Sequence, residues 1–238
     1  MNLLSVANVT KSFKNSKVLD SINVNVSDSE IVGILGPSGA GKTTLIKCIM
    51  GMEKVDSGDI TLLDSKIPNR EVLNKVGYMA QSDALYTELT AKDNLYFFGE
   101  IFKIPKKELK EKIDFLVDLV DLKPFLNRKV NKFSGGMKRR LSLIIALIQD
   151  PELIILDEPT VGIDPELRLN IWKEINNLKS KGKSIIVTTH DMTEAIKCDR
   201  LLLLKDGNIT ASGTPDELMK EFNVDSIEEV FLIAGRKK

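Results

Sequence analysis

Apolar and polar positions alternate near the start of the chain, with Leu4, Val6 and Val9 close to period two. Ile22, Val24 and Val26 then alternate with Asn23, Asn25 and Ser27. Side chains two apart share one face of a strand, so this opening third predicts strands with one face toward solvent. The pattern changes at Glu30–Leu35, a continuous apolar run leading into glycines. Such a run fits a strand buried on both faces of a parallel sheet, and a helix is expected from Lys42. From about Ala91 to Leu122 the spacing becomes helical: Leu109, Ile113, Leu116, Val117 and Val120 recur at three and four residues after Pro105,. Strand and helix then alternate: strand Leu153–Leu156, helix Pro165–Leu178, strand Ser184–Thr189, helix Met192–Lys197 and strand Leu201–Leu204. That alternation predicts an α/β fold with a parallel sheet and crossover helices.

Composition narrows the class. The 238 residues are 42% hydrophobic and 29% charged, enough for a full core and against disorder. Lys and Arg total 34 and Asp and Glu total 34, so no overall basic field draws the chain to nucleic acid, and no nucleic-acid partner is expected. The apolar stretches at Leu143–Ile148 and Leu153–Leu156 are far below the roughly 20 residues of a membrane-spanning helix. The start lacks the charged flank and apolar core of a secretory signal, so a cytoplasmic location is expected. Cys48 and Cys198 lack the spacing of a metal or redox pair, and both are read as buried side chains. The tail Gly235-Arg236-Lys237-Lys238 is expected to fray.

Two local motifs carry chemistry. Gly36-Pro37-Ser38-Gly39-Ala40-Gly41-Lys42-Thr43 fits G-x-x-x-x-G-K-[ST], between a buried strand and a helix, with Thr44 following. Glycines let such a loop turn its N–H groups inward around a polyphosphate, and the helix N-terminus adds positive potential. Lys42 should reach the outer phosphates, and Thr43 should offer its hydroxyl to Mg²⁺. Leu153-Ile154-Ile155-Leu156-Asp157-Glu158 is an apolar strand ending in two carboxylates. Adjacent side chains on a strand point to opposite faces, so the two divide the work. Asp157 suits Mg²⁺, and Glu158 suits polarising the water that attacks the γ-phosphate.

Further residues choose among phosphate-loop proteins. Phe133-Ser134-Gly135-Gly136-Met137 resembles the LSGGQ signature of ABC ATPases, opens a helix expected to run to about Gln149, and precedes the acidic strand. Gln81 resembles the Q-loop glutamine, which the resemblance also makes a Mg²⁺ ligand. Val161-Gly162-Ile163-Asp164 resembles the D-loop, His190 the switch histidine, and Phe13 the aromatic that stacks on adenine. The resemblance spans nearly the whole chain. It implies a P-loop core with an N-terminal antiparallel β lobe and an inserted helical lobe, within one domain over 1–238. The expected division is a β lobe at 1–30 with 58–66, an ATP-binding core at 31–57, 67–88 and 150–238, and a helical lobe at 89–149.

The resemblance further implies an ATPase that uses ATP and Mg²⁺, pairs with a second copy of itself, and docks on a multispanning membrane permease at the cytoplasmic face. In the family Ser134, Gly135 and Gly136 cap ATP held by the opposite subunit. Phe133 and Met137 depart from the signature, and with Gly-Ile-Asp-Pro after Val161 they resemble exporters of drugs, lipids, antibiotics or ions more than importers. The apolar Leu95, Tyr96, Phe97, Phe98, Ile101 and Phe102 exceed one helix face and suggest a docking patch. Two other readings remain: a soluble ABC ATPase acting on DNA or ribosomes, and a P-loop phosphotransferase acting on a small metabolite.

Overall fold

The alternating N-terminal segment forms β1 (Asn2–Phe13) and β2 (Ser16–Ser27), whose Leu4, Val6, Val9, Ile22, Val24 and Val26 are all buried. With β4 (Ser57–Leu62) and β5 (Ser65–Lys66) they make an antiparallel sheet of order β2-β1-β4-β5. This computed structural model describes residues 2–14, 16–81 and 84–235. The tail 236–238 lies outside the described residues.

The second sheet contains β3 (Ile31–Leu35), β6 (Val76–Met79), β7 (Leu153–Asp157), β8 (Ser184–Thr189), β9 (Arg200–Lys205) and β10 (Asn208–Gly213), in the order β10-β9-β3-β8-β7-β6. All pairings are parallel except β9 with β10. Every residue of β3, β7 and β8 is buried. Their alternation divides them between two cores. Ile31, Leu35, Ile154 and Leu156 face one, with the helical lobe; Val32, Ile34, Leu153 and Ile155 face the other, with the antiparallel sheet. Burial on both faces is why these strands read as unbroken apolar runs.

The helices are α1 (Lys42–Ile49), α2 (Arg70–Leu73), α3 (Ala91–Ile101), α4 (Lys106–Leu119), α5 (Gly135–Leu147), α6 (Pro165–Ser180), α7 (Met192–Ala195), α8 (Pro215–Phe222) and α9 (Ile227–Ala234). The helical stretch after Ala91 is two helices. Thr90 and Asp93 form a reciprocal capping box at the start of α3, satisfying two otherwise unpaired donors,. On α4 the periodic Leu109, Ile113, Leu116 and Val117 are buried. Helix α5 stops at Leu147, short of the expected Gln149, and α7 stops at Ala195, short of Lys197.

Strand β10 and helices α8 and α9 go beyond the sequence reading, which placed no element after Leu204. A readable signal existed: Asp206 and Gly207 take φ of 47° and 75° between β9 and β10. Asp-Gly in the left-handed region is a favoured two-residue hairpin turn. Both cysteines are buried, and burial pushes the thiols up, to about 11 for Cys48 and about 12 for Cys198.

Candidate nucleotide site

The phosphate loop connects β3 to α1. A Cβ at Gly36 would stand 2.4 Å from the Leu204 carbonyl oxygen, so the loop threads tightly past β9. Gly41 caps α1 with φ of 107°, and a Cβ there would meet the Val18 carbonyl oxygen at 2.9 Å. Glycine alone fits both constraints. Pro37, Ser38, Gly39, Gly41, Lys42, Thr43 and Thr44 line a cleft of about 440 Å³ with Gln81 and Glu158.

Lys42 is buried, and its Nζ donates to the carbonyl oxygens of Gly36 at 2.7 Å and Pro37 at 3.2 Å. Burial holds its ammonium below the usual lysine range, against the opposing pull of the Glu158 and Asp157 carboxylates. Its Nζ stands 3.8 Å from Glu158 Oε1, and His190 Nδ1 lies 3.4 Å from the same oxygen. The lone histidine of the chain is thus within reach of the carboxylate at the end of the neighbouring strand.

Asp157 is buried at the last position of β7. Thr43 Oγ1 donates to its Oδ2 at 2.9 Å, and Thr188 Oγ1 on β8 donates to Oδ1. Glu158 leaves the strand with φ of 54°, a left-handed conformation that costs a non-glycine residue roughly 1–2 kcal/mol. Its N–H is held by the Thr188 carbonyl at 3.1 Å and Thr188 Oγ1 at 3.0 Å. The two carboxylates therefore separate through a backbone turn as well as through strand alternation.

The sequence reading passed over Thr188, and over Glu194, a buried carboxylate that accepts from Thr160 Oγ1 and from Thr189 Oγ1 at 2.8 Å. Glu194 thereby joins the segment after the acidic strand to the residue before His190. Nothing in the sequence spacing signals the bonds of Thr188 to Asp157 or of Thr160 to Glu194, because both join segments more than 30 residues apart.

Gly36, Asp157 and His190 do not line the cleft themselves but contact Lys42, Thr43 and Glu158, which do; other expected residues stand apart from the lining. Phe13 does not line it; the ring is 42% exposed, with Lys11 Nζ 4.8 Å from its centroid, and Val18 lines the cleft instead. Ala40 is buried beneath the loop. Ser134, Gly135 and Gly136 are also absent from the lining, at the N-terminus of α5. Ser134 Oγ accepts from the Met137 N–H at 3.2 Å, and Ser134 and Gly135 face solvent.

Thr43, Asp157 and Gln81 offer hydroxyl, carboxylate and amide oxygens, a donor set that suits a hard divalent cation. Among the described residues no group of three or more His, Cys, Asp or Glu could hold a metal.

The chain is similar to known proteins along most of its length. The ABC transporter family model matches residues 19–161. The Nod factor export ATP-binding protein I of Rhizobium meliloti (strain 1021) is 42% identical over 221 residues, 92% of this chain and 66% of that protein. The ABC transporter G family member 20 of Dictyostelium discoideum is 38% identical over 235 residues, 96% of this chain and 32% of that protein. The chain thus spans about a third to two-thirds of these relatives. Among solved structures, an ATP-binding subunit of an ABC transporter superimposes with a TM-score of 0.91 at 27% identity, covering 98% of this chain and 99% of that one. A dimeric ATP-binding cassette in a post-hydrolysis state with ADP and phosphate gives 0.82 at 29% identity, covering 89% and 98%. With its phosphate loop, acidic strand and helix-opening serine in one fold, the chain belongs to the ABC transporter family as an ATP-binding cassette.

Proposed function

We propose that the chain is the ATP-hydrolysing subunit of a membrane exporter, working as a dimer of two copies. The observation that carries this reading is a divided site. Lys42, Thr43 and Glu158 line one cleft, with Asp157 bonded to Thr43 and His190 beside Glu158, while the capped N-terminus of α5 is exposed to solvent and absent from that lining. A cleft holding the phosphates on one side, and a helix N-terminus with a serine hydroxyl on an outer face, complete each other across a two-fold axis. ATP then joins two subunits through its γ-phosphate, and ADP, lacking that group, releases them.

Within each site the loop N–H groups and Lys42 bind the β- and γ-phosphates. Glu158 accepts the proton of the attacking water, and His190, beside that carboxylate, orients the γ-phosphate. Thr43, Asp157 and Gln81 would hold Mg²⁺, which neutralises phosphate charge when bound. Phe13, exposed outside the cleft lining, stacks on adenine where the base projects beyond the phosphates,. With Mg-ATP the purified chain should release phosphate with a sigmoidal dependence on ATP, and excess EDTA should abolish the release. Turnover unchanged in EDTA would reject the Mg²⁺ assignment; phosphorylation of a small acceptor in place of phosphate release would reject the ATPase reading.

Among the described residues no helix is long and apolar enough to cross a membrane. Docking on a membrane permease would hold the cassette at the cytoplasmic face. Of the apolar residues at α3, Leu95 is buried, whereas Phe97 and Ile101 are 36% and 53% exposed. The Phe97 ring packs on Tyr86 at 4.6 Å and on Phe98 at 5.5 Å. Beside them runs a groove of about 330 Å³ lined by Met52, Tyr78, Leu85, Phe98 and Ile145. A permease helix laid there would cover this apolar surface. Phe97→Asp with Ile101→Asp should abolish co-purification with the permease and leave ATP turnover of the isolated chain within about twofold; undiminished capture would refute the docking site.

A further inference from the structure

Arg139 lies in the second turn of α5 and is buried, although it carries a full charge. Its guanidinium donates to backbone carbonyls at the ends of two adjacent parallel strands. Nη1 reaches the carbonyl oxygens of Ala80 at 2.6 Å and Gln81 at 2.9 Å, just beyond β6. Nη2 reaches those of Asp157 and, at 2.6 Å, Glu158, while Nε reaches the Glu158 carbonyl at 3.2 Å.

Burying a cation is unfavourable unless every donor finds a partner, and this one finds four carbonyls. All four belong to residues where the chain leaves the sheet and the ladder of strand hydrogen bonds ends. One of them belongs to Glu158, whose left-handed backbone needs external support to persist,. A planar five-donor fork can span both strand ends at once, which the single ammonium of lysine cannot do. The same helix carries Ser134 at its N-terminus, so Arg139 is a rigid link between that terminus and the catalytic strand.

We propose that Arg139 is a positioning residue for hydrolysis: it fixes the backbone of Glu158 and Gln81 to α5. A shift of α5 when Ser134 meets nucleotide on the opposite subunit is thereby transmitted to the carboxylate of its own site. The proposal rests on the assignments of Glu158 and Ser134 made above.

The test is a double-mutant cycle on the full chain. Arg139→Lys and Arg139→Met should each lower kcat about 10- to 100-fold while KM for ATP stays within about threefold and a cooperative melting transition is kept. In the Glu158→Gln background the same substitutions should lower the residual turnover by less than about twofold, because the group being positioned is already disabled. Unchanged kcat in Arg139→Lys, losses that multiply in the double variants, or loss of nucleotide binding together with kcat would overturn the proposal. Failure of the underlying reading shows separately, as wild-type turnover in Glu158→Gln alone.

Discussion

Glu158→Gln is expected to lower ATP turnover by about 100- to 10,000-fold, the usual contribution of a positioned general base, while ATP binding survives. The side chain keeps its size, and the amide can still hydrogen-bond near Lys42 and His190, which stand 3.8 and 3.4 Å from the carboxylate oxygen. What it loses is the capacity to take a proton. Phosphate contacts belong to the loop and to Lys42, on a different element, so affinity for ATP should change little. The variant should therefore accumulate as a nucleotide-bound dimer in Mg-ATP, because a ligand that binds the associated state more tightly than the separate subunits shifts the equilibrium toward it. Size-exclusion chromatography with ATP, and again with ADP, measures this. Turnover at the wild-type level would remove Glu158 from the chemistry, and a monomer in ATP would remove the dimer from the mechanism.

Ser134→Glu is the second large effect. Ser134 Oγ accepts from the Met137 N–H, a bond that occupies a lone pair and leaves the hydroxyl proton for a phosphate oxygen,. Hydrogen bonds to charged groups are worth about 1.5–3 kcal/mol, and glutamate replaces that gain with repulsion between anions. Both sites of a symmetric dimer carry the loss, so kcat/KM should fall on the order of 100-fold or more, with the sigmoidal dependence on ATP gone. Ser134→Ala separates the two roles of the residue. Removing the cap costs about 0.5–2 kcal/mol of stability, visible in melting, whereas it introduces no repulsion and should leave a larger part of the turnover. Cooperative turnover in Ser134→Glu equal to wild type would exclude this serine from the partner's site.

Local motifs were legible because their chemistry is contiguous. The loop from Gly36 to Thr43 needs its glycines, lysine and threonine in one short stretch, and the structure gives physical reasons for Gly36 and Gly41 in particular. The apolar strand ending in Asp157 and Glu158 was equally plain, since burial on both faces forbids interruption. The left-handed turn at Glu158 was hidden, because a strand pattern says nothing about how the chain leaves the sheet. Phe13 had the expected place in the sequence, but only the tertiary structure shows its ring exposed outside the cleft lining. At α3 the excess of apolar residues was readable, but only packing separated buried Leu95 from exposed Phe97 and Ile101.

Arg139 marks the limit most clearly. In Met137-Lys138-Arg139-Arg140 it is one of three successive cations, and charged residues on a helix are ordinarily solvated,. Its burial against four carbonyls follows from α5 crossing the ends of β6 and β7, strands 74 positions apart from Met79 to Leu153 in the chain order but paired in space. By itself the sequence determined the alternation of strands and helices, the phosphate loop, the acidic strand end and the signature, since each is written in spacing along the chain. Tertiary structure alone decided the strand order β10-β9-β3-β8-β7-β6 and the groups it gathers: Thr188 beneath Asp157, Glu194 between Thr160 and Thr189, and Arg139 across two strand ends. Apart from Thr189 with Glu194, five residues apart, those contacts join residues distant in sequence, and no local periodicity encodes which of them will meet.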